Sequence, residues 1–369
     1  MVGRKQILVV DDSLIYRSQI KSIIETLDDV SVTGVVRNGQ EALDFLTSNQ
    51  VDLMVLDLEM PVMDGQQTLQ AMKEKNINTP TIIFSAASPV SIRKTLDSLK
   101  NGVVDFIAKP SGHTNQVGSA SDYVKEQLLP KIKNLLRFPT SSSKSHPPST
   151  TAPTATAPPS PQARAKPTLS TQILLETFRP QAIVIATSTG GPPALEALFK
   201  DVTPGLSVPI FIVQHMPAGF TAALAERLKR MQGLNFKEAT DGEKAEPGTI
   251  YIAPGGLHMD IKKVFTDIVI RVFNGPLRNE VRPCADILFE SAADIFGKKL
   301  MGFVLTGMGA DGRDGCLRIK EKGGAVMIQD QNSSVVWGMP GSVYEAGAYD
   351  RVGDLRQSYK ILNTMARAK

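Results

Sequence analysis

The 369-residue sequence predicts an α/β protein made of two doubly wound parallel-sheet domains joined by a flexible linker. Three observations carry that expectation. The length exceeds one ordinary core. Short apolar runs alternate with helix-like patterns in both halves of the chain, the rhythm of parallel strands covered by helices. Between the halves, the stretch from Pro139 to Thr168 consists largely of Ser, Thr, Ala and Pro, with almost no large apolar side chain to offset the entropy of ordering.

In the first half the strand-like runs are Gln6 to Val10, Ser31 to Val36, Leu53 to Leu56, Thr81 to Phe84 and Asp105 to Ala108. In the second they are Ala182 to Ala186, Pro209 to Gln214, Thr249 to Ala253, Gly302 to Thr306 and Ala325 to Gln329. Lys263 to Phe273 reads as a hairpin-bearing excursion and Thr240 to Gly248 as a loop. The prolines of the linker favour extended polyproline II, so it tethers the halves without fixing their orientation.

Composition narrows the function classes. No apolar run approaches the length of a bilayer span, and the first residues lack the apolar core of a signal peptide, so secretion is not expected and the cytoplasm is. Cys284 and Cys316 are too few for a disulfide framework and wrongly spaced for a metal site; both read as small core or helix residues of a reducing compartment. The net charge of +4 is spread thinly. Residues 1–138 hold 15 basic and 16 acidic side chains, 139–168 hold 3 and 0, and the remainder 23 and 21. No folded part is basic enough to suggest nucleic acid, and the second half does not resemble a small helix-turn-helix output.

Asp11 and Asp12 close the first strand and Asp57 closes the third. In a doubly wound sheet these ends share one rim, where such folds bind ligands. Three carboxylates there repel one another, and a hard divalent cation, Mg²⁺, relieves that repulsion while leaving positions for a phosphate. Ser85 and Lys109 end two further strands and supply a hydroxyl and a fixed cation. Asp57 can then act as a carboxylate nucleophile on phosphorus. A cis bond before Pro110 would aim Lys109 into the rim.

In the second half, His215 directly follows an apolar strand, an active-site address. His258 follows Ala-Pro-Gly-Gly-Leu, where a substrate-facing or solvated role is expected; His113 and His146 belong to the first domain and the linker. Ser188 lies on a strand-to-helix turn, where backbone N–H groups and the helix dipole favour the negative charge of an acyl-transfer intermediate. A plain helix-capping role for Ser188 and Thr189 is the alternative. Asp311 is the one acid in Thr306-Gly-Met-Gly-Ala-Asp-Gly312. It can orient His215, with the Met308 N–H facing the oxyanion. Gly307, Gly309 and Gly312 also spell a dinucleotide fingerprint with Asp330 beyond it, but Asp311 and Asp314 would set negative charge against a pyrophosphate.

Val-Val-Asp-Asp-Ser, Leu-Asp-Leu-Glu-Met-Pro-Val-Met-Asp-Gly and Phe-Ile-Ala-Lys-Pro resemble the response-regulator receiver family over residues 5 to about 130. That resemblance implies a flavodoxin-like receiver with Asp57 as phospho-acceptor, Asp11, Asp12 and Asp57 as Mg²⁺ ligands, and Ser85, Lys109 and Phe106 as switch residues. Thr-Ser-Thr-Gly-Gly-Pro, Gln-His-Met-Pro-Ala-Gly-Phe-Thr, Tyr-Ile-Ala-Pro-Gly and Leu-Thr-Gly-Met-Gly-Ala-Asp-Gly resemble the chemotaxis response-regulator protein-glutamate methylesterases over roughly 180 to 365. This second resemblance implies a Rossmann-like catalytic domain with Ser188 as nucleophile, His215 as base, Asp311 as its partner and Met308 as oxyanion donor. Val281 departs from the His that the family often has before the Arg-Pro pair. The expected division is receiver 1–135, Pro/Ser/Thr-rich linker 136–178 and catalytic domain 179–369.

The expected activity is hydrolysis of glutamyl methyl esters, and deamidation of glutamines, on methyl-accepting chemotaxis receptors, with no cofactor for the esterase step. A chemotaxis histidine kinase would be the phosphoryl donor. The resemblance implies that the unphosphorylated receiver obstructs the catalytic domain; no nucleic acid, no membrane insertion and a monomer are expected.

Overall fold

Alternation of apolar side chains along five short strands lets one sheet be covered on both faces, and the first part of the computed structural model shows that arrangement. The structure describes residues 4–99, 102–110, 120–137, 175 and 177–366. The expected linker from Pro139 to Thr168, with His146, and also His113, lie outside the described residues. Strands β1 (Lys5–Val10), β2 (Val30–Val36), β3 (Leu53–Leu56), β4 (Thr81–Ser85) and β5 (Val103–Ala108) pair in parallel in the order β2-β1-β3-β4-β5. Ile7, Val9, Leu53 and Val55 turn one way, onto α1 (Leu14–Ile24) and α5 (Ala120–Arg137). Leu8, Val10, Met54 and Leu56 turn the other way, onto α2 (Gly39–Ser48), α3 (Gly65–Glu74) and α4 (Pro89–Ser98). Ser13 caps α1 and Asp64 closes a capping box with Gln67 on α3, so Asp12 is not consumed as a helix cap. Helix α5 runs through Arg137, two residues past the expected edge at 135.

The second sheet has seven parallel strands in the order β14-β13-β12-β6-β7-β9-β8. They are β6 (Ala182–Thr187), β7 (Ile210–Gln214), β8 (Asn235–Glu238), β9 (Thr249–Ile252), β12 (Leu300–Val304), β13 (Ala325–Gln329) and β14 (Arg351–Gly353). An antiparallel hairpin, β10 (His258–Val264) and β11 (Asp267–Phe273), interrupts them where the excursion was expected, though it begins at His258. Helices α6 (Gly191–Phe199), α7 (Phe220–Gln232), α8 (Ala285–Phe296), α9 (Arg313–Glu321), α10 (Met339–Glu345) and α11 (Leu355–Met365) cover it. The chain winds outward from β6 to β7 and later returns to β12 on the other side of β6. The reversal opens a crevice at the carboxyl ends of β6 and β12, the address at which open α/β sheets bind ligands.

Two expectations are corrected here. His258 is neither solvated nor substrate-facing: it opens β10 fully buried, with Nε2 2.8 Å from the Pro276 carbonyl and its ring tilted on Phe273. The bond before Pro110 is not cis; among the described residues the cis bond is Arg282–Pro283. No helix among the described residues is long and apolar enough to cross a membrane.

Candidate functional site

Two sites form at strand ends, one in each domain. In the first, β1 and β3 are register neighbours (Val10 opposite Leu56), which sets Asp11, Asp12 and Asp57 side by side. Oxygens of the three lie within 4.8 Å of one another, with Asp11 and Asp57 buried and Asp12 exposed. Lys109 Nζ is 2.6 Å from Asp57 Oδ2 and 2.9 Å from Asp11 Oδ2, the second contact lacking hydrogen-bond geometry. Burial pushes the Asp57 carboxyl up against the pull of Lys109. Burial alone would lower the Lys109 ammonium, but the Asp57 and Asp11 carboxylates hold it above its ordinary value. Ser85, at the end of β4, has a buried hydroxyl with no partner among the described residues. Three carboxylates against one lysine, beside an unsatisfied hydroxyl and an unsatisfied Asp11 oxygen, fit a hard divalent cation and an incoming phosphoryl group.

In the second site, Thr187 and Gln214 are register partners at the ends of β6 and β7, so Ser188 and His215 leave adjacent strands together. Gln214, a residue the sequence did not flag, fixes both: its Nε2 donates to the Ser188 carbonyl at 3.0 Å and the His215 carbonyl at 3.2 Å. The loop after β12 arrives from the other side, with the Ser188 N–H donating to the Thr306 carbonyl at 3.0 Å. Gly307 passes so close that a Cβ there would lie 2.9 Å from Ser188 Cβ and 3.0 Å from its N. This loop brings Asp311 Oδ2 to 2.8 Å from His215 Nε2. The ring nitrogen left for a nucleophile is therefore Nδ1, the reverse of the serine-protease arrangement.

Among the described residues, neither His215 Nδ1 nor the Ser188 hydroxyl makes a hydrogen bond, so the bond between them is not formed here; such bonds often tighten only when substrate is bound. Helix α6 is capped by Gly190 at φ 75°, with no side-chain cap, so Ser188 and Thr189 do not serve as caps. Pro192 and Pro193 carry no N–H and the Gly191 N–H is used on the Ser188 carbonyl, so this helix end offers fewer donors than its position suggested. The Met308 N–H has no acceptor among the described residues and stands available.

Asp311 is 2% exposed and saturated with donors. Besides His215 it accepts from Ala285 N (2.6 Å), Asp286 N (3.2 Å), Asn279 Nδ2 (2.9 Å) and Cys284 Sγ (2.9 Å). Burial would raise its carboxyl, but hydrogen bonds from His215, Cys284 and the Ala285 N–H hold it well below the usual range. Cys284 is buried as expected, yet it works as a thiol donor to Asp311, and burial beside that carboxylate keeps it protonated. The cluster Cys284, Asp286 and Asp311 is thus occupied by N–H and S–H donors and is a hydrogen-bond network. Asp286 carries the opposite shift, pushed up to about 6 by burial and by the Asp311 charge against the Gly315 N–H bond.

The folded state therefore holds a proton on Asp286 more tightly than the unfolded chain does. Its contribution to stability is present below about pH 4 and lost as pH rises through about 6, on the order of 3 kcal/mol. Denaturation midpoints of wild type and Asp286→Asn between pH 4 and 7 should differ in slope, the variant lacking this downward component.

The two sites are joined by contacts across the domains. Phe106 on edge strand β5 stacks on Phe220 at the start of α7 (4.5 Å, 21°). Arg227 is buried between Glu196 at 2.6 Å and the receiver-side Asp97. Asp105 Oδ2 takes a short hydrogen bond from Thr189 Oγ1, next to Ser188, and also pairs with Lys131 at 2.6 Å. Of these residues Phe106 was expected as a receiver switch residue and Thr189 as a possible helix cap; Phe220, Arg227, Glu196, Asp97 and Asp105 carried no sequence signal for the contact. The α4–β5 side of the first domain thus lies against the loop that carries Ser188.

A family model described as CheB methylesterase matches residues 183–362, and one described as response regulator receiver domain matches 7–118. The protein-glutamate methylesterase/protein-glutamine glutaminase of Nocardioides sp. is 39% identical over 366 residues, covering 99% of this chain and 96% of the relative. That of Trichodesmium erythraeum is 39% identical over 347 residues, covering 94% and 95%. The crystal structure of the Thermotoga maritima CheB methylesterase catalytic domain is 39% identical and covers 50% of this chain and 98% of that one, with a TM-score of 0.49. The chain belongs to the CheB methylesterase family, in the form that carries a response regulator receiver domain ahead of the methylesterase domain.

Proposed function

We propose that Ser188, His215 and Asp311 hydrolyse γ-glutamyl methyl esters on the cytoplasmic helices of methyl-accepting chemotaxis receptors, and deamidate selected receptor glutamines. The observation that carries the reading is the part-buried His215–Asp311 pair, whose free Nδ1 belongs to the residue that ends the strand neighbouring Ser188. Asp311 holds the His215 proton on Nε2, which leaves the Nδ1 lone pair as base. Ser188 Oγ attacks the ester carbonyl carbon and its proton passes to His215 Nδ1, while the oxyanion meets the Met308 N–H. As the C–OCH₃ bond breaks, His215 returns the proton and methanol leaves. Water, deprotonated by the same nitrogen, then attacks the acyl-enzyme and releases the glutamate carboxylate. With a glutamine the leaving group is ammonia. The esterase step uses no metal.

In the receiver, Asp57 is the phospho-acceptor, supplied by a chemotaxis histidine kinase. Asp11, Asp12 and Asp57 would hold Mg²⁺, which neutralises charge on the phosphoryl group. Lys109 and the Ser85 hydroxyl take phosphoryl oxygens, and Phe106 carries the change to Phe220. The receiver takes in all of α5, to about residue 137, and the catalytic domain begins about residue 179, the two joined by the Pro/Ser/Thr-rich linker. The chain acts in the cytoplasm as a monomer. Methanol release from methylated receptor membranes tests the reading: wild type should release methanol, faster with a phosphoryl donor, and Ser188→Ala should release none above background. Equal release by the two proteins would overturn it.

A further inference from the structure

The loop between β11 and α8 does not reach the bond-breaking atoms, yet it sends one side chain into the heart of the Asp311 network. Its anchors lie on both sides of that residue. Arg278 forms a paired contact with Glu290 (2.7 and 2.5 Å), and Arg282 Nη1 donates to Asn274 Oδ1 and the Gly275 carbonyl, both at 2.5 Å. Between them Asn279 and Glu280 have φ of 54° and 64°, a left-handed conformation in which Asn is among the few residues at ease. The turn carries the Asn279 amide inward, where Nδ2 lies 2.9 Å from Asp311 Oδ1 and 2.7 Å from Asp286 Oδ2. The amide has two hydrogens, and two buried carboxylates face it.

We propose that Asn279 is a positioning residue for the triad: one side-chain NH₂ holds Asp311 with one hydrogen and Asp286 with the other, fixing the carboxylate that orients His215. Asp311 Oδ1 is satisfied by Asn279, Cys284 Sγ and the Asp286 N–H, which leaves Oδ2 to His215 and the Ala285 N–H. Asp286 is itself anchored by the Gly315 N–H at 2.6 Å, so the amide ties Asp311 to the base of α9. Without that donor the two buried carboxylates face each other unscreened, and their repulsion strains the bonds from Cys284, Ala285 and the Asp286 N–H that remain to hold the Asp311 plane.

The proposal rests on the esterase reading of the triad, so its test includes a readout that needs no substrate. In the full chain Asn279→Gly, at ease at a positive φ, and Asn279→Ala, at a backbone strain of about 1–2 kcal/mol, both remove the donor without adding a charge. Turnover of the phosphorylated protein on methylated receptor should fall about 10- to 100-fold with KM nearly unchanged. A downfield proton resonance of His215 Nε2–H should be seen in wild type and lost from both variants. If either variant keeps wild-type turnover, or loses turnover with that resonance intact, Asn279 does not position Asp311. If wild type releases no methanol, the esterase reading fails by itself, and the resonance alone decides: lost in both variants it supports the positioning role, retained in either it overturns it.

Discussion

Exchanging Asp311 for Asn should lower turnover about 10,000-fold without unfolding the protein, the scale on which a wrong imidazole tautomer acts in serine hydrolases. Asp311 accepts five hydrogen bonds as an ionised carboxylate, and the one from His215 Nε2 keeps the Nδ1 lone pair free. An amide of the same shape can keep its oxygen toward Asn279, Cys284 and the Asp286 N–H, but its NH₂ then faces both His215 and the Ala285 N–H and presents a donor where an acceptor stood. The ring responds by carrying its proton on Nδ1, and the base is gone. Methanol release under phosphorylating conditions, with near-ultraviolet circular dichroism as the folding control, measures the effect. A loss smaller than about tenfold would mean that Asp311 does not set the tautomer.

Truncating Phe106 to Ala should act in the opposite direction, raising the activity of the unphosphorylated chain about 10- to 100-fold. The Phe106–Phe220 stack contributes about 0.5–1.5 kcal/mol beyond the area it buries, and losing part of that area adds a similar amount. Those contacts exist only while the domains are docked, so their loss moves the population toward the undocked form. The Asp105–Thr189 and Asp97–Arg227 bonds remain to hold it, which is why release is partial. Phosphorylated activity should stay near that of wild type. The comparison is methanol release by wild type and variant with and without a small acyl phosphate, and an unchanged basal rate would show that the stack does not hold the domains closed.

Much of this was legible because it follows from strand ends. Asp11, Asp12, Asp57, Ser85 and Lys109 each terminate an apolar run, and so do Ser188 and His215; a parallel sheet brings such ends to one rim. The Gly-x-Gly-x-x-Gly reading gives way to the methylesterase family match, and its two acids have other partners. Asp311 points into the His215 network, and Asp330 accepts from the Ser333 N–H at 2.7 Å within a local turn. What escaped depends on contacts distant in sequence. Asn279 and Cys284 matter because a loop folds back onto Asp311, and Gln214 because its amide bridges two backbones. Thr189 and Asp105 matter because two domains dock. His258 was misjudged since Pro-Gly-Gly announces a turn but not that the next residue enters a buried strand. The edge strands β8, Asn-Phe-Lys-Glu, and β14, Arg-Val-Gly, each hold a single apolar side chain other than glycine, so neither shows an apolar run.

On this mechanism Ser188 becomes covalently acylated during turnover. A phosphorylated sample mixed with a peptide bearing a γ-glutamyl methyl ester, quenched in acid within one turnover and digested, should yield the Ser188 peptide heavier by the acyl group, and Ser188→Ala should yield none. An adduct on another residue, or methanol release from Ser188→Ala at the wild-type rate, would rule out Ser188 as the nucleophile.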